Sequence, residues 1–208
     1  MQKRTKYILA TWAFGIGWLV AVASGLAVFL NYDTKPGRTG NAPPHWPAVK
    51  FQRATDRGTL VMVAHPRCPC TRASIGELAQ IMARTEGTLV AYVLFVMPST
   101  SSKDWDNTDL RRSAEKIPGV TVLSDVDGVE ANRFGAETSG HTFLFGSDGR
   151  LLFSGGITES RGHAGGNAGE SAIVSLVNNR AADRNSTFVF GCSVVDRKPP
   201  AHSAEDVR

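Results

Sequence analysis

Thr59-Leu-Val-Met-Val-Ala64, His65-Pro-Arg-Cys-Pro-Cys70 and Thr71-Arg-Ala-Ser-Ile-Gly-Glu-Leu-Ala-Gln-Ile-Met82 follow one another without a break. The first run is apolar and partly β-branched, which predicts a strand buried on both faces. In the third, Ile75, Leu78, Ala79 and Met82 fall at helical spacing. Cys68 and Cys70 therefore stand at a strand-to-helix junction, one residue apart. A sulfur pair there can exchange electrons with other thiols or hold a soft metal.

Downstream, Thr88 to Val96 reads as a second buried strand, closed by Met97-Pro98 and a Ser/Thr/Asp-rich loop. Asp109 to Lys116 is expected to be a short helix, Val120 to Ser124 a short strand, and Asp127 to Phe134 helical again. Thr142-Phe-Leu-Phe145 and Leu151-Leu-Phe-Ser154 flank a Gly/Asp turn, a hairpin signal. After a Gly-rich loop, Glu170 to Asn178 supplies a last helix with Ile173, Val174 and Val177 on one face. The order β-α-β-α-β-α-β-β-α predicts an α/β fold, a mixed sheet with helices on both faces. No internal repeat is visible.

Upstream, Tyr7 to Leu30 runs for 24 residues without Asp, Glu, Lys or Arg. As a helix it would cover about 36 Å, enough for a bilayer core of about 30 Å. Lys3, Arg4 and Lys6 precede it, so residues 1–6 are expected in the cytoplasm and the rest on the far side, periplasmic in a Gram-negative cell. A cleaved signal peptide is the competing reading, since Ala21-Val22-Ala23 fits a small-residue cleavage pattern. Residues 31–50, with five prolines and glycines between Pro36 and Pro44 and Pro47 beyond, are expected to be a semi-rigid spacer. Residues 51–195 then form one domain, and residues 196–208 a disordered tail.

The formal net charge of +4 includes the three N-terminal cations, leaving the remainder near +1. That balance implies no nucleic-acid surface. Three cysteines in a domain large enough to bury its own core point to chemistry rather than scaffolding.

The strand ending in a Cys motif, the helix after it, Val122-Leu-Ser-Asp-Val-Asp-Gly128 and the hairpin from Thr142 to Leu151 resemble the thioredoxin-like superfamily. The resemblance is to its membrane-anchored TlpA-type and peroxiredoxin-related branch, and His65 to Ser74 with Phe153 to His163 look like a RedB-like subgroup. Two departures stand out. The family norm is Cys-x-x-Cys, one residue longer, and Gly140-His141 occupies the place of the family's cis-proline.

The resemblance implies thiol–disulfide exchange with a thiol or disulfide partner protein, Cys68 attacking and Cys70 resolving, with no cofactor. A helix beginning near Thr71 would put both sulfurs at its N-terminal end, where unpaired N–H groups and the positive dipole end favour a thiolate. Arg67 and Arg72 are expected to add positive charge, Thr71 to support the site, and His141 to be a substrate-side neighbour. Cys192 is open between a second resolving cysteine that folds back and an inert thiol under an apolar strand.

The alternative is metal delivery. Cys68, Cys70 and His163 offer two sulfurs and one nitrogen suited to copper(I) or zinc, similar in outline to the Sco copper-delivery proteins. Peroxidase chemistry fits less well, because the Pro-x-x-x-Thr-x-x-Cys arrangement of peroxiredoxins is missing.

Overall fold

A computed structural model describes residues 2–102 and 104–194. The N-terminal unit is a single helix, α1 (Gln2–Thr34). Its stretch Leu9–Thr34 is long and apolar enough to cross a membrane, a property that signal sequences share. The tail expected at residues 196–208 lies outside the described residues.

The second unit begins at Pro36. Its elements are β1 (Gly58–Ala64), α2 (Thr71–Arg84), β2 (Leu89–Met97), α3 (Asp109–Glu115), β3 (Val120–Val126), α4 (Val129–Arg133), β4 (Thr142–Phe145), β5 (Leu151–Gly155) and α5 (Ala168–Val177). The sheet order is β3-β2-β1-β4-β5. β1, β2 and β3 run parallel, while β4 is antiparallel to both β1 and β5.

Central β1 is buried on both faces, as its unbroken apolar run requires. Alternate side chains divide the core. Leu60, Met62 and Ala64 meet α2, α3 and α5 through Ile75, Leu78, Leu110 and Ile173. Val61 and Val63 turn the other way, toward Phe134, Phe143, Phe145 and Val194. With both layers closed, the end of β1 is a rigid platform for the Cys junction.

Residues 36–50 depart from the expected spacer, because the apolar residues among their prolines find partners on the body. Trp46 sits edge-on to Phe51, Phe134 and Phe145, with ring centroids 5.2–5.6 Å apart. The Trp46 N–H donates to the Gly149 carbonyl at 2.8 Å, and the Leu151 N–H donates to that of Pro44 at 2.9 Å. This segment supplies much of the cover that a helix would otherwise give to that face.

The C-terminal segment 185–194 is likewise tied down. Ser154 N–H donates to the Asn185 carbonyl at 3.0 Å, and Ser154 bridges Ser186 in parallel. Further on, Ser139 N–H donates to the Cys192 carbonyl at 2.8 Å, and Thr138 bridges Ser193 in the antiparallel sense. Gly191 passes so close to the Ser139 carbonyl that an added Cβ would lie 2.0 Å from its oxygen. Only glycine permits that approach.

Candidate redox site

Cys68 lies in the turn between β1 and α2. Its N–H donates to the His65 carbonyl at 3.2 Å, and its carbonyl accepts from Thr71 N–H at 3.1 Å. Cys70 is the N-cap of α2, in helical conformation and without a side-chain cap bond. The turn thus leaves both sulfurs at the N-terminal end of a fourteen-residue helix.

Cys192 is the sulfur in contact with Cys68. The two Sγ atoms are 2.8 Å apart in a hydrogen bond, across 124 positions of sequence. Cys68 is 1% exposed and Cys70 8%, whereas Cys192 is only partly buried. All three are free thiols.

Their ionisation is coupled, and the cluster sorts it. Burial pushes the Cys68 thiol up, but it is outweighed by hydrogen bonds from the Cys192 thiol and N–H, the Thr71 hydroxyl and the Cys70 N–H. The net direction is below the ordinary 9.0. Cys192 goes the other way: burial first, then the hydrogen bond to Cys68 and the charges of Cys68 and Cys70, push it up to about 12. Cys70 is also raised, by burial, then by the charge of Cys68 and a side-chain hydrogen bond with it. Of the three thiols, Cys68 is therefore the one that ionises most readily, with the other two held toward the protonated form beside it.

A small polar network holds this sulfur in place. The Thr71 hydroxyl is 2.8 Å from that of Ser139 and 3.2 Å from the His65 carbonyl. Ser139 Oγ also accepts from the His65 N–H at 2.9 Å. Thr71 and Ser139 are buried at 1% exposure each, so these bonds form away from competing water. Ser139 had no signal in the sequence, since its partners lie 68 and 74 positions away.

The expected cations are engaged elsewhere. The Arg67 guanidinium lies 3.6 Å above the Trp105 ring, and Arg72 pairs with Asp109. Neither is among the groups that lower Cys68. The cation at the cluster is Arg161, from the Gly-rich loop, whose charge lowers Cys70 and Cys192 against the other influences. Its Nη1 donates to the Gly191 carbonyl at 2.6 Å, next to Cys192. The loop carrying it is anchored by buried Glu77 of α2, which accepts from Gly165 N–H at 2.7 Å and Asn167 Nδ2 at 3.2 Å.

Neither His141 nor His163 is among the groups that bond or shift the sulfurs. His141 was expected on the substrate side, yet it is 1% exposed, stacked on Phe143 at 4.1 Å and bonded through Nε2 to Ser154 Oγ at 2.9 Å. Strand alternation explains this, since residues 141 and 143 share one face of the β4 edge. Its backbone does border the site: Val63 N–H donates to its carbonyl at 2.9 Å. His163 is exposed in the Gly-rich loop, and among the described residues no three His, Cys, Asp or Glu side chains are grouped to hold a metal ion.

A central strand running into a Cys-bearing helix, three parallel strands and a closing antiparallel hairpin make the fold thioredoxin-like. Comparison with known proteins agrees at the level of architecture. No protein-family model matches the chain. No curated protein matches it either. Among solved structures, a hypothetical protein from Sinorhizobium meliloti is similar at TM-score 0.58 and 17% identity, covering 78% of this chain and 100% of its own. An uncharacterized conserved protein from Geobacillus kaustophilus is similar at TM-score 0.57 and 16% identity, covering 80% and 94%. A thioredoxin-like protein solved in its oxidized form is similar at TM-score 0.42 and 17% identity, covering 71% and 93%. At these identities the likeness is one of fold, and the chemistry rests on the site.

Proposed function

We propose that this protein is a membrane-anchored thiol–disulfide oxidoreductase whose reactive sulfur is Cys68, acting outside the cytoplasm on a thiol or disulfide of a partner protein. The observation that carries the reading is the Cys68 sulfur itself: held at the start of α2, drawn toward the thiolate by its hydrogen bonds, and touching a second thiol at 2.8 Å. A thiolate beside a second sulfur is what disulfide exchange requires. The apolar helix and the three cations before it support the anchoring and its orientation. The copper-delivery alternative drew its nitrogen ligand from His163, and that imidazole is exposed in its loop, so the exchange reading draws more support from the contact between Cys68 and Cys192.

The test is exchange between the full chain in detergent and a peptide carrying a reporter dithiol or disulfide. Wild type is expected to catalyse it and Cys68→Ser to lose it altogether. Exchange that proceeds equally in Cys68→Ser would remove the reading.

A further inference from the structure

We propose that the redox-active disulfide of this protein joins Cys68 to Cys192, and that a partner thiol enters at the Cys192 sulfur. The inference rests on the exchange reading above and goes beyond it, since the neighbouring Cys70 is the obvious partner for Cys68 in a Cys-Pro-Cys motif.

Three observations favour the distant partner. The first is contact: the 2.8 Å separation leaves no room for another atom, and closing it to about 2.05 Å would form the bond. The second is construction on both sides of Cys192. Arg161 holds the Gly191 carbonyl at 2.6 Å, Ser139 N–H holds the Cys192 carbonyl at 2.8 Å, and Val194 N–H reaches the Glu137 carbonyl at 3.1 Å. With Gly191 pressed against the Ser139 carbonyl, the segment is fixed in register over Cys68. The third is the turn at Cys68. Thr71 N–H bonds back to the Cys68 carbonyl, and Cys70 has helical φ and ψ of −66° and −27°. Cys70 also interacts with Cys68, through the latter's charge and a side-chain hydrogen bond, but this turn fixes the backbone on either side of Pro69, so a Cys68–Cys70 bridge would have to strain it, whereas the 2.8 Å contact is already made with Cys192.

Accessibility then assigns the point of entry. Cys68 and Cys70 are nearly covered, while Cys192 reaches solvent. In the oxidised protein an incoming partner thiol loses its proton to solvent, and its thiolate attacks Cys192 Sγ. The Cys68–Cys192 bond breaks and its electron pair leaves on Cys68. A second thiolate of the same partner attacks its own sulfur in the mixed disulfide, forming the partner's disulfide and releasing Cys192. That sulfur takes a proton from solvent, and the protein holds the two electrons from the partner dithiol. Departure from Cys68 is favoured because its hydrogen bonds already stabilise the thiolate, and a thiol with a lower pKa is the better leaving group.

The experiment uses the full chain in detergent, equilibrated with glutathione and its disulfide, alkylated, proteolysed and mapped by mass spectrometry. The expected result is a Cys68–Cys192 peptide with Cys70 alkylated, kept in Cys70→Ser and lost in Cys192→Ser. Melting gives a second readout that needs no variant. A bridge over 124 positions removes much chain entropy from the unfolded state and raises Tm on oxidation, whereas a bridge over two positions hardly moves it. Brief treatment of the oxidised protein with glutathione, quenched in acid, is expected to leave glutathione on Cys192.

A Cys68–Cys70 peptide with Cys192 alkylated would overturn the pairing and leave exchange standing. Glutathione found on Cys68 would overturn the entry point. No disulfide at Cys68 under any glutathione ratio, together with no exchange, would remove both readings.

Discussion

The two sides of the thiol cluster are held by different means. Cys68 is positioned locally: a buried strand ends at Ala64, four residues later the Cys68 N–H closes a turn on the His65 carbonyl, and a helix begins at Thr71. Cys192 belongs to no helix or strand of its own. It is fixed by bonds to Glu137, Ser139 and Arg161, none within thirty positions of it. The difference separates two tasks, for the junction sets the Cys68 sulfur at the start of α2, and the C-terminal segment brings up the sulfur that faces it together with the largest of the hydrogen bonds that favour its thiolate.

The largest expected effect lies on the junction side. Met62 is fully buried in the middle of β1, and Met62→Ala is expected to lower stability by about 2–5 kcal/mol, through lost transfer energy and the cavity left behind. Urea unfolding measures it. The substitution leaves every bond of the C-terminal segment in place, so the oxidised variant should still give the Cys68–Cys192 peptide. Loss of that peptide would mean that the two sides are not separable.

Next comes the seam between them, at His141, whose carbonyl holds the end of β1 and whose ring holds Ser154 beside the C-terminal segment. Burial lowers its pKa from 6.5 to about 4, so the unfolded chain binds the extra proton first. The stability it contributes is complete above pH 6.5 and is lost as pH falls toward 4, about 3 kcal/mol over the interval. Melting temperature against pH should show this acid limb in wild type, flattened in His141→Gln. Equal slopes in the two proteins would show that the ring is not buried neutral.

On the Cys192 side, Gly191→Ala puts a methyl into the Ser139 carbonyl oxygen. Such overpacking costs about 1–3 kcal/mol. The segment must shift to relieve it, so alkylation of Cys192 in the reduced protein is expected to quicken and its contact with Cys68 to weaken. An unchanged alkylation rate would show that the segment is not clamped there.

The same division decides what could be read in the chain. The strand-turn-helix around Cys68 was legible because hydrophobic period, turn residues and helix spacing are all local, and the order of elements with a mixed sheet followed from the same signals, though the order of strands within the sheet did not. Residues 36–50 and 185–194 were not, since Pro, Gly and isolated aromatics look alike in a spacer and in a segment laid across a core. Trp46 differs from a linker residue only through Phe134 and Phe145, far away in sequence. Arg67 and Arg72 were near Cys68 in sequence and turned to Trp105 and Asp109, while Arg161, 91 positions beyond Cys70, took their place. Charge near a sulfur is set by side-chain direction, which sequence distance does not report.

The smallest expected effect is also the one that tests the junction most directly. Thr71 is buried, and the single proton of its hydroxyl is shared between the Cys68 sulfur and the His65 carbonyl while its oxygen lies 2.8 Å from the Ser139 hydroxyl. Thr71→Val keeps the shape and deletes those bonds, a loss of about 1 kcal/mol for a neutral bond and more when the sulfur is ionised. Because the folded pKa of Cys68 lies below its ordinary 9.0, the group stabilises the fold above that pH and ceases to as pH falls through the folded value. Removing one of the donors narrows the gap, so the variant should trail wild type most in alkali and least in acid. The rate of Cys68 alkylation, followed by mass in the reduced protein, should titrate at higher pH in Thr71→Val than in wild type, with Thr71→Ser restoring the original profile. A profile that does not move would confine Thr71 to packing and leave the Cys192 thiol, the Cys192 N–H and the Cys70 N–H as the donors that favour the Cys68 thiolate.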